Sequence, residues 1–171
     1  MLIILGGLPA SGKTTIAGAL ADVLEAVHVR VDTIEQAIRA SGMLRDAVGP
    51  AGYMVAYGIA EDNLRLGRTV VADSVNPLKI TREAWLSVAA RCGVKAFEVE
   101  VLCSDKDEHR RRAETRPTDV EGLIKPSWQE IVDRTYEEWQ PRPIVVDTSV
   151  GSVDDLVADL ITRLDRDRSE E

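Results

Sequence analysis

The residues with the clearest chemistry lie near the start of the sequence, where Gly7 is followed after four residues by Gly12, Lys13 and Thr14. This spacing is the Walker A pattern of a phosphate-binding loop. The glycines allow the backbone to turn tightly around phosphate oxygens, the lysine supplies a cation, and the threonine hydroxyl can ligate Mg²⁺. The segment therefore predicts a binding site for a nucleoside triphosphate. The residues expected to contact it are Gly7, Leu8, Pro9, Ala10, Ser11, Gly12, Lys13, Thr14 and Thr15.

The sequence on both sides of this loop supports the interpretation. The apolar run 2–5 precedes the loop, as a buried parallel strand would, and residues 14–25 follow it with apolar side chains on one helical side. A strand, a glycine loop and a helix in this order place phosphates at the helix N-terminus, where unpaired N–H groups attract anions. The alternative is a glycine-rich turn with no ligand.

Apolar runs alternate with helical patterns along the rest of the chain. Such alternation predicts an α/β fold of three layers, in which helices cover both faces of a doubly wound, five-stranded parallel sheet. We expect one domain over residues 1–164 and a frayed, charged tail over 165–171. The later strands are predicted at 26–31, 69–72, 94–102 and 143–146. The later helices are predicted at 33–40, 52–66, 81–92, 105–115, 127–139 and 153–164.

Ligands of such sheets bind beyond the carboxyl ends of the strands, so residues that follow strands are the best functional candidates. Asp32 directly follows the second predicted strand. Its carboxylate could accept the proton of an acceptor hydroxyl during phosphoryl transfer, or it could cap the helix that begins at residue 33. Glu35 and Arg39 lie one and two turns further along this helix, where they could reach an acceptor or lie on the surface.

A second polar segment follows the third predicted strand and begins with Asp73. An aspartate at this point can hold Mg²⁺ together with Thr14 or contact the substrate, and Asn76 would lie near the acceptor. The alternative is turn chemistry, because aspartate and asparagine both suit a turn between a strand and a helix.

The strongest cluster of positive charge is the run 109–116, which contains Arg112 and Arg116 four residues apart on one helical face. The run leads into a polar segment, and we predict a lid over about 110–128 whose arginines neutralise charge on the transferred phosphoryl group. The alternative is a solvated helix face with local ion pairs. The acidic partners would then be Asp105, Asp107, Glu108 and Glu114.

Composition narrows the class of protein. The net charge of −8 over 171 residues argues against a general binder of nucleic acids or anionic membranes. Cys92 and Cys103 are expected to be buried free thiols in a reducing compartment, and neither has ligand spacing to His28 or His109. The first predicted strand leaves no room for a signal peptide, and no apolar run approaches membrane-spanning length. We expect a soluble, cytoplasmic protein.

Together, segments 6–15, 31–35 and 73–76 and the arginine-bearing lid resemble the small P-loop kinases of the nucleotide-kinase type. The group with the closest likeness contains zeta-toxin-like kinases, chloramphenicol phosphotransferase and the kinase domains of polynucleotide kinases. The sequence is also similar in part to adenylylsulfate kinases, although their acceptor-site pattern is not found after the second strand.

This resemblance implies phosphoryl transfer from ATP, with Mg²⁺, to a hydroxyl of a small molecule. It implies that Lys13 and Thr14 handle the phosphates and the metal and that Asp32 is the general base. Polynucleotide kinases carry an arginine three residues after the base, where this chain has Glu35, and this difference argues against a nucleic-acid acceptor.

The alternative functions are a polynucleotide 5′-hydroxyl kinase, a nucleotide-hydrolysing switch or ATPase, and a non-catalytic nucleotide-binding protein. A GTPase should carry an Asn-Lys-x-Asp motif, which is absent from the sequence. A motor-type ATPase usually has a glutamate directly after the aspartate of the third strand, where this chain has Ser74.

Overall fold

The structure is a computed structural model of the chain and describes residues 1–42, 48–117 and 120–169. A sheet of five strands forms its centre, and all strand pairs in it are parallel. The spatial order is β2-β3-β1-β4-β5. After forming β2 and β3 on one side of β1, the chain crosses over and forms β4 and β5 on the other side. The strands are β1 (Leu2–Gly6), β2 (Val27–Arg30), β3 (Val70–Asp73), β4 (Ala96–Leu102) and β5 (Ile144–Asp147).

Helices cover both faces of this sheet and give the three predicted layers. One face packs against α1 and α7, while the other packs against the helices between β2 and β4. The described helices are α1 (Lys13–Val23), α2 (Val31–Ala40), α3 (Ala51–Arg65), α4 (Lys79–Cys92), α5 (Lys106–Thr115), α6 (Trp128–Val132) and α7 (Val153–Ser169). The predicted fold class is confirmed.

The core depends on β1, whose five residues are all buried. Ile3 and Leu5 point to the α1 and α7 layer, and Leu2 and Ile4 point to the opposite layer. A strand between two helical layers needs apolar side chains on both faces, which explains the uninterrupted apolar run in the sequence. The phosphate-loop segment follows at the carboxyl end of this rigid central strand.

Two predicted helices have different lengths in the structure. The helix predicted over 127–139 is only α6, although the capping box of Ser127 and Glu130 starts it as expected. Beyond it, the Glu137 N–H donates to the carbonyl oxygen of Pro77 at 2.8 Å, and Trp139 packs against Gly6. These tertiary contacts outweigh local helix propensity. At the other end of the chain, α7 continues through Ser169, where we predicted a frayed tail.

Within the described residues, no helix is both long enough and apolar enough to cross a membrane.

Candidate active site at the phosphate loop

The segment between β1 and α1 wraps tightly, as the glycine pattern predicts. Gly7 has φ 145°, and a Cβ at this position would lie 2.1 Å from the carbonyl oxygen of Val101. Gly12 has φ 91° and is the N-cap of α1. A larger residue at either position would be strained, because L side chains rarely adopt these backbone angles. Both glycines of the motif are therefore required by the backbone path.

The carbonyl groups of the loop are bonded to the surrounding protein. Leu8 accepts from the Ser11 N–H at 3.2 Å, and Pro9 accepts from Nε2 of His109 at 2.9 Å. Ser11 accepts from the Thr148 hydroxyl at 2.7 Å. With these carbonyl oxygens engaged, the remaining N–H groups suit an anion.

The N-terminus of α1 is also suited to bind phosphate. No side chain caps it, and its first turn carries no acidic residue. In contrast, the Asp105 carboxylate caps α5, and Ser127 caps α6. The partial positive charge at the start of α1 is therefore left uncompensated by any side chain of the helix.

Lys13, Thr14 and Asp73 meet where α1 begins and β3 ends. Lys13 and Asp73 are buried, with Nζ of the lysine 3.7 Å from Oδ1 of the aspartate. Burial opposes ionisation of Asp73, but the charge of Lys13 and the hydrogen bonds from His28 and Thr14 outweigh it and lower the pKa of the carboxyl below 3.8. An ionised carboxylate beside a threonine hydroxyl is a donor set that Mg²⁺ accepts. The pair predicted to hold the metal thus lies together.

Two basic residues that we did not predict complete this cluster. His28 and Arg30 of β2 point toward Asp73, with Nε2 of the histidine 3.2 Å and Nε of the arginine 4.0 Å from Oδ2. The only indication of this in the sequence was that residues 28 and 30 are two apart in a strand, and alternate residues of a strand point to the same face. The sequence indicated only that His28 lies in a strand without metal-ligand spacing to another residue, and the structure adds its contact with Asp73.

Asp32 lies within α2 rather than before it. The helix begins at Val31, and its N-cap is Arg30, so the N-cap alternative for Asp32 is wrong. The physical reason is that β2 ends one residue earlier than predicted, which starts the helix earlier. Asp32 lines the same cavity as Lys13 and Thr14.

Glu35 and Arg39 follow on α2 and also line this cavity. They form an ion pair, with Oε2 of Glu35 3.1 Å from Arg39. Burial raises the pKa of Glu35, and the nearby charge of Asp32 adds to this effect, while Arg39 opposes it. The cavity therefore holds two acidic groups in close proximity at one end.

Asn76 does not line the cavity, although its neighbours Val75 and Pro77 do. Its side chain is fully buried, and its Nδ2 donates to the carbonyl oxygen of Leu5 at 2.8 Å. Its own backbone N–H donates to the Tyr53 hydroxyl at 3.1 Å, and its φ of 47° is one that asparagine tolerates. The structure gives Asn76 a role in joining β1 to the turn after β3, so a contact with substrate stays a prediction.

The two candidate lid arginines have different surroundings. Arg112 donates to the Thr148 hydroxyl at 2.8 Å and to the Glu108 carboxylate at 2.7 Å, so it braces the β5–α7 loop beside Gly12. Arg116 lines the cavity, and its backbone carbonyl accepts from Lys125 at 2.6 Å.

Residues 118 and 119 of the predicted lid lie outside the described residues. Thr15, predicted to touch the nucleotide, is exposed.

The cavity itself has a volume of about 970 Å³. Its polar end is formed by Pro9, Lys13 and Thr14 and by the acidic face of α2. Its other walls come from α3, from the segment between β3 and α4, and from residues 122–126. A space of this size accommodates a small molecule next to the end of a nucleotide.

The fold and the glycine loop define a P-loop nucleotide-binding protein. A family model described as an AAA domain, AAA_33, matches residues 2–134, and the chain belongs to this family. The match spans the elements from β1 through α6, which carry the loop, Asp32 and Asp73.

Comparison with individual proteins agrees with this assignment. The chain is 28% identical over 166 residues to an Aeropyrum pernix protein described as "Probable adenylyl-sulfate kinase", covering 90% of this chain and 86% of that protein. Its fold matches the Mycobacterium tuberculosis APS kinase solved with AMPPNP and APS, with a TM-score of 0.72, 19% identity and 96% coverage of each chain. A gluconokinase from Sinorhizobium meliloti matches with a TM-score of 0.65 and 20% identity, covering 96% of this chain and 91% of that one. The narrower resemblance to zeta-toxin-like kinases and their group stays a prediction.

Proposed function

We propose that this protein is an ATP- and Mg²⁺-dependent kinase that transfers the γ-phosphoryl group to a hydroxyl of a small molecule. The observation that carries this proposal is that Asp32 lines the same cavity as Lys13 and Thr14 of the phosphate loop. A carboxylate next to a triphosphate site is the arrangement that phosphoryl transfer to an alcohol requires. The kinases among its relatives and structural neighbours support the same reaction type.

In this proposal the phosphate loop binds the donor. The N–H groups at the start of α1 and the Lys13 ammonium hold the β- and γ-phosphates. Thr14 and Asp73 would hold Mg²⁺, which neutralises phosphate charge when bound. The lowered pKa of Asp73 keeps its carboxylate available for this role across the neutral range.

Asp32 acts as the general base. Its carboxylate accepts the proton of the acceptor hydroxyl while that oxygen forms a bond to the γ-phosphorus. The bond between the γ-phosphorus and the bridging oxygen breaks, and its electron pair leaves with ADP. The products are a phosphomonoester and ADP. We infer that Arg116, which lines the cavity, offsets charge on the transferred group, whereas Arg112 supports the loop through Thr148.

The test is to incubate the protein with ATP and Mg²⁺ and a panel of hydroxyl compounds, and to measure ADP and phosphomonoester together. We expect ADP formation to depend on one class of acceptor and to match ester formation mole for mole. Lys13→Ala should lower turnover by about 100-fold or more, while Lys106→Ala, on an exposed part of α5, should not. Equal ADP formation with and without every acceptor would contradict the proposal and favour a nucleotide-hydrolysing switch.

A further inference from the structure

The acceptor side of the cavity has an apolar wall, although two tyrosines contribute to it. The Tyr57 hydroxyl donates to the carbonyl oxygen of Thr81 at 3.1 Å. The Tyr53 hydroxyl accepts from the Asn76 N–H at 3.1 Å. Both polar ends are therefore engaged by the protein, and the rings, whose centroids lie 6.0 Å apart, form a largely hydrocarbon surface.

The rim of the same cavity carries three exposed apolar side chains from three different segments. Met54 of α3 is 65% exposed, Ile80 of α4 is 70% exposed, and Ile124 is 91% exposed. Single exposed apolar residues are ordinary on a protein surface, but a group of them around one cavity is typical of a site that binds an apolar ligand. A ligand with an apolar body in the cavity would give these three exposed side chains apolar contacts.

The charged side chains of α2 disfavour an anionic group next to Asp32. Arg39, which could pair with an acceptor anion, is already paired with Glu35. Asp32 and Glu35 add two carboxyl groups beside this pair, and like charges at short range repel. Among the described residues, three further cations line the cavity outside the phosphate loop and α2, namely Arg116, Lys125 and Arg134. Lys125 donates to the carbonyl of Arg116, and the charge of Arg134 opposes the rise in the pKa of Glu35.

We propose that the acceptor is an uncharged alcohol carried on an apolar or aromatic body, which packs against Tyr53, Tyr57 and Ile80 while its hydroxyl points to Asp32. This inference rests on the proposed function, because it names the substrate class of the same cavity. It differs from the anionic acceptors named for two similar proteins, adenylyl sulfate and gluconate. The apolar body supplies the affinity, and Asp32 and Glu35 disfavour an anionic group placed directly beside them.

The experiment compares a neutral probe with two anionic ones. Binding of 2-naphthalenemethanol, gluconate and adenylyl sulfate is measured by calorimetry with a non-hydrolysable ATP analogue present, and transfer is then measured with ATP. We expect the neutral alcohol to bind at least tenfold more tightly than gluconate and to be the better acceptor. Ile80→Ser should weaken its binding by on the order of tenfold. The control Leu66→Ser removes an equally exposed apolar side chain outside the cavity and should leave binding unchanged.

The possible outcomes separate the two proposals. Faster transfer to gluconate or adenylyl sulfate than to the neutral alcohol would overturn the inference and uphold the kinase. A second outcome is that the neutral alcohol binds and Ile80→Ser weakens this binding, but no compound accepts a phosphoryl group. That outcome would support an apolar-ligand site and contradict the proposed kinase activity. Equal effects of Ile80→Ser and Leu66→Ser, or no binding of the neutral probe, would overturn the inference.

Discussion

Nε2 of His109 lies 2.9 Å from the backbone carbonyl oxygen of Pro9, and this contact joins α5 to the phosphate loop. A carbonyl oxygen can only accept, so the imidazole donates. The ring is buried and packs edge-on against Trp128 of α6, with centroids 5.1 Å apart. The packing of Ala10 with Ala113 and Ile131 extends the same contact. The helices α5 and α6, which lie between β4 and β5, are thus coupled to the loop that we propose holds the phosphates.

We predict that His109→Phe weakens ATP binding by about 5–10-fold. The phenyl ring keeps the packing on Trp128 but leaves the Pro9 carbonyl without its donor, which costs about 1–3 kcal/mol for a buried group. His109→Gln offers an amide N–H to the same carbonyl and should retain more of the affinity. Calorimetric titration of ATP into each variant measures the effect, and wild-type affinity in His109→Phe would contradict it.

Thr148 provides a second support for the loop. Its hydroxyl donates to the Ser11 carbonyl at 2.7 Å and accepts from Arg112 at 2.8 Å. Thr148→Val keeps the shape but removes both bonds, so we expect ATP affinity to fall by about 3–10-fold. Thr162→Val is the matched control, because that exposed hydroxyl bonds to the Ala158 carbonyl within α7. Nucleotide titration should separate the two variants, and equal affinities would show that Thr148 does not support the loop.

Gly52 sets the position of Glu35. A Cβ on Gly52 would lie 2.3 Å from Cγ of Glu35, whereas a Cβ on Gly58, in the same helix, would meet nothing within 4 Å. Gly52→Ala should displace Glu35 and change the KM for the acceptor several-fold, with little change in the KM for ATP. Gly58→Ala should leave both unchanged and stabilise α3 by about 0.5–1 kcal/mol. Steady-state kinetics with each substrate varied tests both expectations, and unchanged acceptor kinetics in Gly52→Ala would contradict the assigned position of Glu35.

Asp147, at the end of β5, gives a pH dependence of stability. Burial opposes its ionisation, but hydrogen bonds from Ser104 and Ser149 lower the pKa of Asp147 from 3.8 to about 2. A lowered pKa in the folded state means that the stabilisation is present above pH 3.8 and is lost as the pH falls toward 2.

We therefore expect Asp147→Asn to lower the free energy of unfolding by about 1–2 kcal/mol at pH 7, after allowance for solvent screening. The difference from the wild type should shrink between pH 4 and pH 2. Urea unfolding at a series of pH values measures both curves. A difference that stays constant down to pH 2 would rule out the carboxylate as its source.

The strands could be predicted because each is a short apolar run between turn residues, and every predicted strand boundary lies within two residues of the observed one. The end of α6 could not be predicted, because it depends on contacts that Glu137 and Trp139 make with Pro77 and Gly6, which are distant in the sequence. Local sequence gives a helix its start through a cap, as Ser127 does, but tertiary contacts can end it.

The site shows the same division. Lys13, Asp32 and Asp73 could be chosen because a motif or a strand end marks each of them. His109 and Thr148 could not, because a side chain that bonds to a distant backbone carbonyl leaves no pattern in the sequence. Asn76 illustrates the opposite difficulty, since its residue type suits a substrate contact and a turn equally. The structure shows its burial and its bond to the Leu5 carbonyl, and the substrate contact stays a prediction.

If Asp32 faces the acceptor while the phosphate loop holds ATP, Asp32→Asn should separate phosphoryl transfer from ATP binding. Calorimetry should give an ATP affinity within about twofold of the wild type, while formation of the phosphomonoester falls by about 100-fold or more. Asp62→Asn, on an exposed part of α3, is the control and should transfer at the wild-type rate. Transfer by Asp32→Asn at the wild-type rate would show that Asp32 is not the general base.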